Sequence, residues 1–330
     1  MFLRESKNFK SEFFLTGRLP FLCGQSLTPS DMKKNHKDNT DRGLINPFID
    51  WSFKYLFGRE ETKDLLIGFL NLLLQREYPI TDITYLNNER IPEQSDGREC
   101  VFDVICRDGA GDRFLVEMQQ VPKTNIRNRL LYYACRLIDQ MGHQGEEWDY
   151  EYDRVYAICL MDFTYERNPV LRSDYLLRDN REGKVFTDRL NVITLQLPCI
   201  QAQNFEECVE SYEKLLYLLI TMKEDKKTLE DILADIEAET SSEEIKAMLR
   251  RVAQTADKAS LSPEDRVAYD YAVKRKRDYY SGLKTAREEG LAEGADQKMR
   301  EIARAMKAGG EPAEKISFYT GLPLSEITNL

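Results

Sequence analysis

The sequence has only two histidines, and its seven cysteines include no CxxC pair. This pattern argues against a zinc site built from cysteine and histidine, and the scattered thiols are typical of a reduced protein. No apolar run approaches the roughly 20 residues that a transmembrane helix needs, and charges and glycines interrupt the apolar clusters of the first 23 residues. We therefore predict a cytoplasmic protein with no membrane contact.

The sequence also has fewer positive than negative side chains. Asp and Glu number 57 against 47 Lys and Arg, which gives a formal net charge of −10. Such a chain is not attracted to a polyanion as a whole, so any contact with nucleic acid must be local. Hydrophobic residues make up 42% and aromatic residues 10%, enough for a sizeable core. A length of 330 residues favours one large domain with an appendage.

Composition and periodicity divide the chain into three parts. Residues 1–43 are polar, and we expect a disordered leader. Residues 44–222 alternate helical and strand-like patterns, which predicts a packed α/β domain. Residues 223–330 are rich in Glu, Lys, Arg and Ala and are expected to form a helical C-terminal region, broken near Gly309-Gly310 and Gly321. The predicted strands are 80–86, 101–106, 114–119, 155–163 and 191–197, and the predicted helices of the α/β part are 48–57, 62–75, 125–141 and 205–222.

The most informative segment is a predicted hairpin formed by the strands 101–106 and 114–119. Its glycine-containing loop is centred on Ala110, so a symmetric register places Asp103 opposite Glu117. Because side chains alternate between the faces of a strand, Gln119 shares the face of Glu117. Two carboxylates and one amide are thus expected on one patch of an otherwise hydrophobic pair of strands.

Like charges directly opposed on a sheet are destabilising unless a cation lies between them. Carboxylate oxygens favour hard divalent ions, and Mg²⁺ takes one or two carboxylates together with water and substrate phosphate. The spacing therefore predicts a site for Mg²⁺ or Mn²⁺ at Asp103 and Glu117. In the alternative reading the register is shifted by one residue and one acid is a solvated charge at a strand edge.

These residues resemble the PD-(D/E)XK nuclease motif in its D…ExQ form, and the surrounding sequence resembles the recombination-promoting nucleases, also described as PD-(D/E)XK nuclease family transposases. The resemblance extends from about residue 45 to the C-terminus. The stretches that carry it are NPFIDWSFKYLFG at 46–58, VFDV at 101–104, FLVEMQ at 114–119, Arg129 to Tyr133, 155–163, and TGLPLSEI at 320–327. Two positions depart from the usual motif: Phe102 stands where proline is usual, and Gln119 where lysine is usual.

The resemblance implies a restriction-endonuclease-like core, that is, a central mixed sheet flanked by helices, and cleavage of DNA with Mg²⁺ or Mn²⁺. It implies that Asp103 and Glu117 are the metal ligands and that Gln119 belongs to the catalytic set. Lysine could stabilise a negative phosphorane, whereas glutamine can only orient water and donate a neutral hydrogen bond. The activity is therefore expected to be modest.

Further candidates flank this set. Asp50 is either a third catalytic acid or the cap of its helix, and Lys54, one turn later, either contacts DNA or forms an i,i+4 ion pair with Asp50. Arg129 and Tyr133 share a helix face and are predicted to contact the DNA backbone.

The basic run 274–277 with the tyrosines that follow it is read as a solvated helix face, with phosphate contact as the alternative. The last helices are predicted to be an interaction or packing module, and the helical tail is a candidate for the contact of a homo-oligomer.

The residues and the resemblance together predict a metal-dependent DNA endonuclease that promotes recombination or DNA mobility. The alternative is a catalytically weak or inactive DNA-binding or assembly protein on a nuclease scaffold.

Overall fold

The computed structural model describes residues 43–86, 103–142 and 150–330, and it shows an α/β protein with a six-stranded mixed sheet. The helices are α1 (Asp50–Phe57), α2 (Lys63–Leu74), α3 (Ile126–Asp139), α4 (Ser211–Glu224), α5 (Leu229–Glu239), α6 (Glu243–Thr255), α7 (Pro263–Ala308), α8 (Ala313–Thr320) and α9 (Leu324–Asn329). The strands are β1 (Ile83–Tyr85), β2 (Val104–Asp108), β3 (Arg113–Gln119), β4 (Val155–Met161), β5 (Arg172–Arg178) and β6 (Val185–Gln196).

The strand order is β1-β2-β3-β4-β6-β5. The central strand β4 runs parallel to both of its neighbours, β3 and β6, and the remaining pairs are antiparallel. All but one of the β4 residues are buried, as expected for a strand that is covered on both faces. Its continuous apolar sequence therefore follows from its central position.

The two faces of the sheet pack against different helices. Phe114, Val116 and Met118 of β3 belong to the main core, together with apolar residues of α1, α2, α4, α5 and α6. The intervening Leu115 packs with α3 residues such as Leu137 on the opposite face. The alternation of side chains along β3 therefore sends Glu117, two residues after Leu115, towards α3.

The β2–β3 hairpin is held at its turn by a network of charged side chains. Asp108 accepts backbone N–H bonds from Ala110 and Asp112, each at 3.0 Å. The guanidinium of Arg76 reaches both acids, at 2.7 Å to Asp108 and 2.9 Å to Asp112. Gly111 in the turn has a φ of +96°, a left-handed conformation that favours glycine.

The helices beyond residue 223 share the core of the sheet. Ile232 and Ile236 of α5 and Leu249 and Val252 of α6 are almost fully buried in the same cluster as Phe69 of α2. The end of α7 with α8 and α9 forms a separate small cluster around Ala303, Ile316, Leu322 and Ile327. The division of the chain at residues 222 and 223 stays a prediction, and the predicted leader, residues 1–43, lies outside the described residues except for its last position.

Strand β5 was not predicted from the sequence. It pairs with β6 at the edge of the sheet, with shifts of register at Leu176/Leu177 and Leu177/Arg178. No position of β5 is fully buried, so its sequence carries no strong apolar alternation. The other predicted strands and helices of the α/β part are present with changed ends, and the tail is interrupted at the predicted glycines. In the part of the chain described here, no helix is both long enough and apolar enough to cross a membrane.

Candidate active site

Asp103 and Glu117 meet where β2 and β3 begin to part. The hairpin pairs Val104 with Val116, so the same register continued by one residue places Asp103 opposite Glu117. The Asp103 carboxylate accepts a hydrogen bond from the backbone N–H of Met118 at 2.6 Å. The register predicted from the loop centre is therefore confirmed, and the reading with a shifted register is wrong.

Glu117 and Gln119 are buried side by side on the α3 face of β3. The Gln119 amide Nε2 donates to Glu117 Oε2 at 3.0 Å, and the two residues are 7% and 2% exposed, respectively. The second carboxylate oxygen, Glu117 Oε1, is buried and has no hydrogen-bond partner in the described part of the chain. A buried carboxylate oxygen without a partner is costly, so a cation bound to this atom would stabilise the site.

Burial raises the pKa of both acids. The pKa of Asp103 rises to about 8, chiefly because the carboxyl is buried and secondly because Glu117 is close, while the Met118 N–H opposes the shift. Burial also raises the pKa of Glu117, against the opposing effects of Arg129 and Gln119. Two acids that resist ionisation side by side form an arrangement that a divalent cation would stabilise.

Two basic residues approach the acids from different helices. Arg129 of α3 lies 3.5 Å from Glu117 Oε2 and donates from Nε to the Tyr133 hydroxyl at 2.8 Å. Lys54 of α1 lies 3.0 Å from Asp50 and 4.0 Å from Asp103 Oδ1. Tyr133 is 8% exposed, so its ring offers little surface, and the DNA contacts predicted for Arg129, Tyr133 and Lys54 stay predictions.

Asp50 lies in the first turn of α1 but does not cap it, because the N-cap is Ile49 and no side-chain cap bond is present. The predicted ion pair with Lys54 is confirmed. Asp50 is also close enough to Asp103 to contribute to the raised pKa of that carboxyl. It therefore stands beside the acid pair, and its catalytic role stays a prediction.

The donor set fits a small hard cation. Within residues 43–86, 103–142 and 150–330, no group of three or more His, Cys, Asp and Glu side chains is arranged to hold a metal ion. Two carboxylates are nevertheless enough for Mg²⁺, which completes its coordination with water and substrate phosphate. The unpartnered Oε1 of Glu117 and the raised pKa of Asp103 fit such an ion at these two side chains.

Sequence reasoning did not connect the basic run on α7 with this site. Arg275, Lys276, Tyr279 and Tyr280 line a cavity that also contains Gln119 and Asp50. These residues are more than 150 positions from Gln119 in the chain, so only the packing of α7 against α1 brings them together. The basic run with its adjacent tyrosines was the available signal, but it did not indicate a neighbour.

A family model described as PD-(D/E)XK nuclease family transposase matches residues 47–286. The chain belongs to this family. The suspected resemblance is thereby confirmed, and the mixed sheet flanked by helices agrees with the restriction-endonuclease-like fold that it implied. Comparison with curated proteins and with solved structures gave no match. Membership in the family indicates a nuclease-like function. Nucleases of this family usually use a divalent metal, and their partner is DNA.

Proposed function

We propose that the protein is a divalent-metal-dependent DNA endonuclease that hydrolyses phosphodiester bonds and thereby promotes recombination or DNA mobility. The observation that supports this most directly is the buried Asp103–Glu117 pair with an unpartnered oxygen on Glu117. Two buried acids side by side are unfavourable as ions, and a divalent cation bound between them offsets that cost.

Asp103 and Glu117 are the residues that would hold Mg²⁺ or Mn²⁺. When bound, such an ion polarises a phosphate and lowers the pKa of its water. The backbone N–H of Met118 fixes the Asp103 carboxylate, and the Gln119 amide fixes Glu117 Oε2. Because the Gln119 amide nitrogen is engaged with Glu117, its carbonyl oxygen is the atom that could orient the attacking water.

Lys54 supplies positive charge that Gln119 cannot provide. Its ammonium lies 4.0 Å from Asp103 and is one-third exposed, so it can face a phosphate at the acid pair. Arg129 acts through Glu117, because its guanidinium lies beside that carboxylate and lowers its pKa against the effect of burial. We assign Lys54 to the phosphate and Arg129 to the positioning of Glu117.

A plasmid-nicking assay tests the proposal. We expect the purified protein to nick or linearise a plasmid with Mg²⁺ or Mn²⁺ and not with EDTA, and we expect Asp103→Asn and Glu117→Gln to abolish cutting while DNA binding persists. Asp139→Asn is the matched control, because Asp139 is an exposed carboxylate on α3 that pairs with Arg136. Cutting that persists in EDTA, or in both acid variants, would contradict the assignment.

The second candidate function is DNA binding or assembly by a catalytically weak or inactive nuclease scaffold. The observation that favours it is Gln119, which stands at the position of the motif lysine. Its amide nitrogen donates a hydrogen bond to Glu117. Retarded DNA without cleavage under every metal condition would support this function. A cytoplasmic location and a homo-oligomer formed through the helical tail remain proposals alongside both functions.

A further inference from the structure

A groove runs between α1 and α7 and reaches Asp50 and Gln119. One cavity of about 480 Å³ contains Gln119 and Asp50 on one side and Arg275 and Tyr279 on the other. A second cavity of about 480 Å³ adjoins it, since both are lined by Asp50, Ala272 and Arg275. The groove therefore leads from the exposed surface of α7 to a residue of the nuclease motif.

The position of α7 along this groove is fixed by specific contacts. The Tyr269 hydroxyl accepts the backbone N–H of Asn46 at 3.1 Å, and Lys276 donates to the carbonyl oxygen of Phe48 at 3.3 Å. Arg59 reaches Asp265 at 2.8 Å. The groove is thus built into the packing of the core rather than formed by a loose helix.

The groove exposes aromatic rings at both of its cavities. Tyr279 and Tyr280 are 51% and 40% exposed, with their ring centroids 5.9 Å apart and their planes nearly perpendicular. Tyr271 lines the adjoining cavity and is 67% exposed. Exposed rings grouped at a concave surface offer stacking faces to a flat, apolar ligand.

The same groove carries unneutralised positive charge. Lys123, from the loop before α3, and Arg275 both line the first cavity, are exposed, and form no ion pair with any residue that the structure describes. In a chain with a net charge of −10, cations without acidic partners beside a nuclease motif are suited to phosphate groups.

We propose that this groove binds an unpaired stretch of DNA next to the position of cleavage, with Tyr279 and Tyr280 stacking on bases and with Arg275 and Lys123 contacting phosphates. Bases inside a duplex are stacked on one another and cannot reach side-chain rings, whereas unpaired bases can. The inference rests on the proposed nuclease function, because it assigns a substrate class, single-stranded or partly unpaired DNA, to that same site.

Binding measured in EDTA tests the groove separately from cleavage. The probes are a fluorescein-labelled oligothymidine of about 15 nucleotides and a blunt duplex of equal length, with fluorescence anisotropy as the readout. We expect tighter binding of the single strand. The double variant Tyr279→Ala/Tyr280→Ala should weaken single-strand binding on the order of 10-fold or more while changing duplex binding little.

Arg275→Ala should weaken binding of both probes and reduce the slope of log affinity against log salt by about 0.7 for the single strand. Tyr319→Ala on α8 and Arg287→Ala on α7 are the matched controls, because both residues are exposed and lie outside the groove. The controls should bind both probes as the unchanged protein does. Circular dichroism of each variant verifies that α7 is retained.

Equal affinity for the two probes, or single-strand binding unaffected by the tyrosine double variant, would overturn the inference. Failure of the nuclease function has a different signature, namely no cleavage of any DNA with Mg²⁺ or Mn²⁺. If the protein cuts DNA but shows no preference for the single strand, the nuclease function is supported and the proposed role of the groove is contradicted. If the protein prefers the single strand through Tyr279 and Tyr280 but never cuts, the groove is supported as a binding site and the nuclease function is contradicted.

Discussion

Asp103 is expected to keep its proton at neutral pH in the metal-free protein, since its pKa in the fold is about 8. An unfolded aspartate ionises near about pH 3.9. Between these two values the folded state binds more protons than the unfolded state, so the free energy of unfolding should fall as pH rises through this window, by at most about 1.4 kcal/mol per pH unit.

Asp103→Asn removes this titration while keeping an oxygen for the Met118 N–H. Urea unfolding in EDTA at pH 5 and at pH 8 should therefore show a smaller loss of stability for the variant than for the unchanged protein. Identical losses in the two proteins would show that Asp103 titrates normally.

Arg129 should matter more to the fold than its neighbour Arg127. Arg129→Gln removes the cation beside buried Glu117 and a hydrogen bond to Tyr133, and we expect a loss of about 1 to 3 kcal/mol in the free energy of unfolding. Arg127→Gln, the control, alters a side chain that is 65% exposed and pairs with Glu166, so its urea midpoint should stay close to that of the unchanged protein. Equal losses, measured by urea unfolding, would count against the assigned role of Arg129.

The pairing of Asp103 with Glu117 could be predicted from the sequence because the two residues are joined by a short hairpin whose loop centre sets the register. The approach of Lys54 to Asp103 and of Arg129 to Glu117 could not. Those contacts depend on how α1 and α3 pack against the sheet, and periodicity within one helix reveals which face is apolar but not which neighbour it meets. The sequence predicts DNA contact for Lys54 and Arg129, and the structure places both of them beside the acids.

At the scale of single elements, the turn of the β2–β3 hairpin depends on Gly111. An added Cβ would overlap the carboxylate of Asp153, and the backbone φ of +96° is itself unfavourable for alanine. We expect Gly111→Ala to cost about 1 to 3 kcal/mol and to lower the thermal unfolding midpoint by several degrees. Nicking activity should fall as well, because the turn sets the register of the two acids.

Gly109→Ala is the matched control for this substitution. It lies in the same turn, but a Cβ there has no atom within 4 Å and the residue is not among those with positive φ. Its unfolding midpoint should be close to that of the unchanged protein. A loss as large as that of Gly111→Ala would show that the turn tolerates no side chain for reasons other than the contact with Asp153.

Strand β5 shows why one element could not be predicted. Its residues are held by pairing with β6, and most of them remain exposed, so neither burial nor alternation left a signal in the sequence. Strand β4 is the opposite case, since burial on both faces requires a continuous apolar run. Prediction from sequence thus succeeded where side chains are buried and failed for a strand whose side chains are mostly exposed.

At the scale of the whole molecule, α5 should unfold together with the sheet. Ile236 is fully buried in the main core, so Ile236→Ala is expected to cost about 2 to 5 kcal/mol. Circular dichroism and tryptophan fluorescence should report one coincident transition, shifted to lower denaturant. Val267→Ala, a change at a side chain that is 69% exposed, is the control and should stay within about 0.5 kcal/mol. Two separate transitions would instead support a domain boundary near residue 222.

The irregular pairing of β5 also bears on how copies of the protein meet one another. A regular edge strand has unpaired backbone groups that can bind a strand of another molecule, and repeated pairing of this kind leads to aggregates. The two register shifts near Leu177, with charged Arg172, Asp174 and Arg178 along the same strand, disturb that template. A loop deletion that restored regular pairing here would leave the distant acids untouched and yet make the protein prone to precipitate.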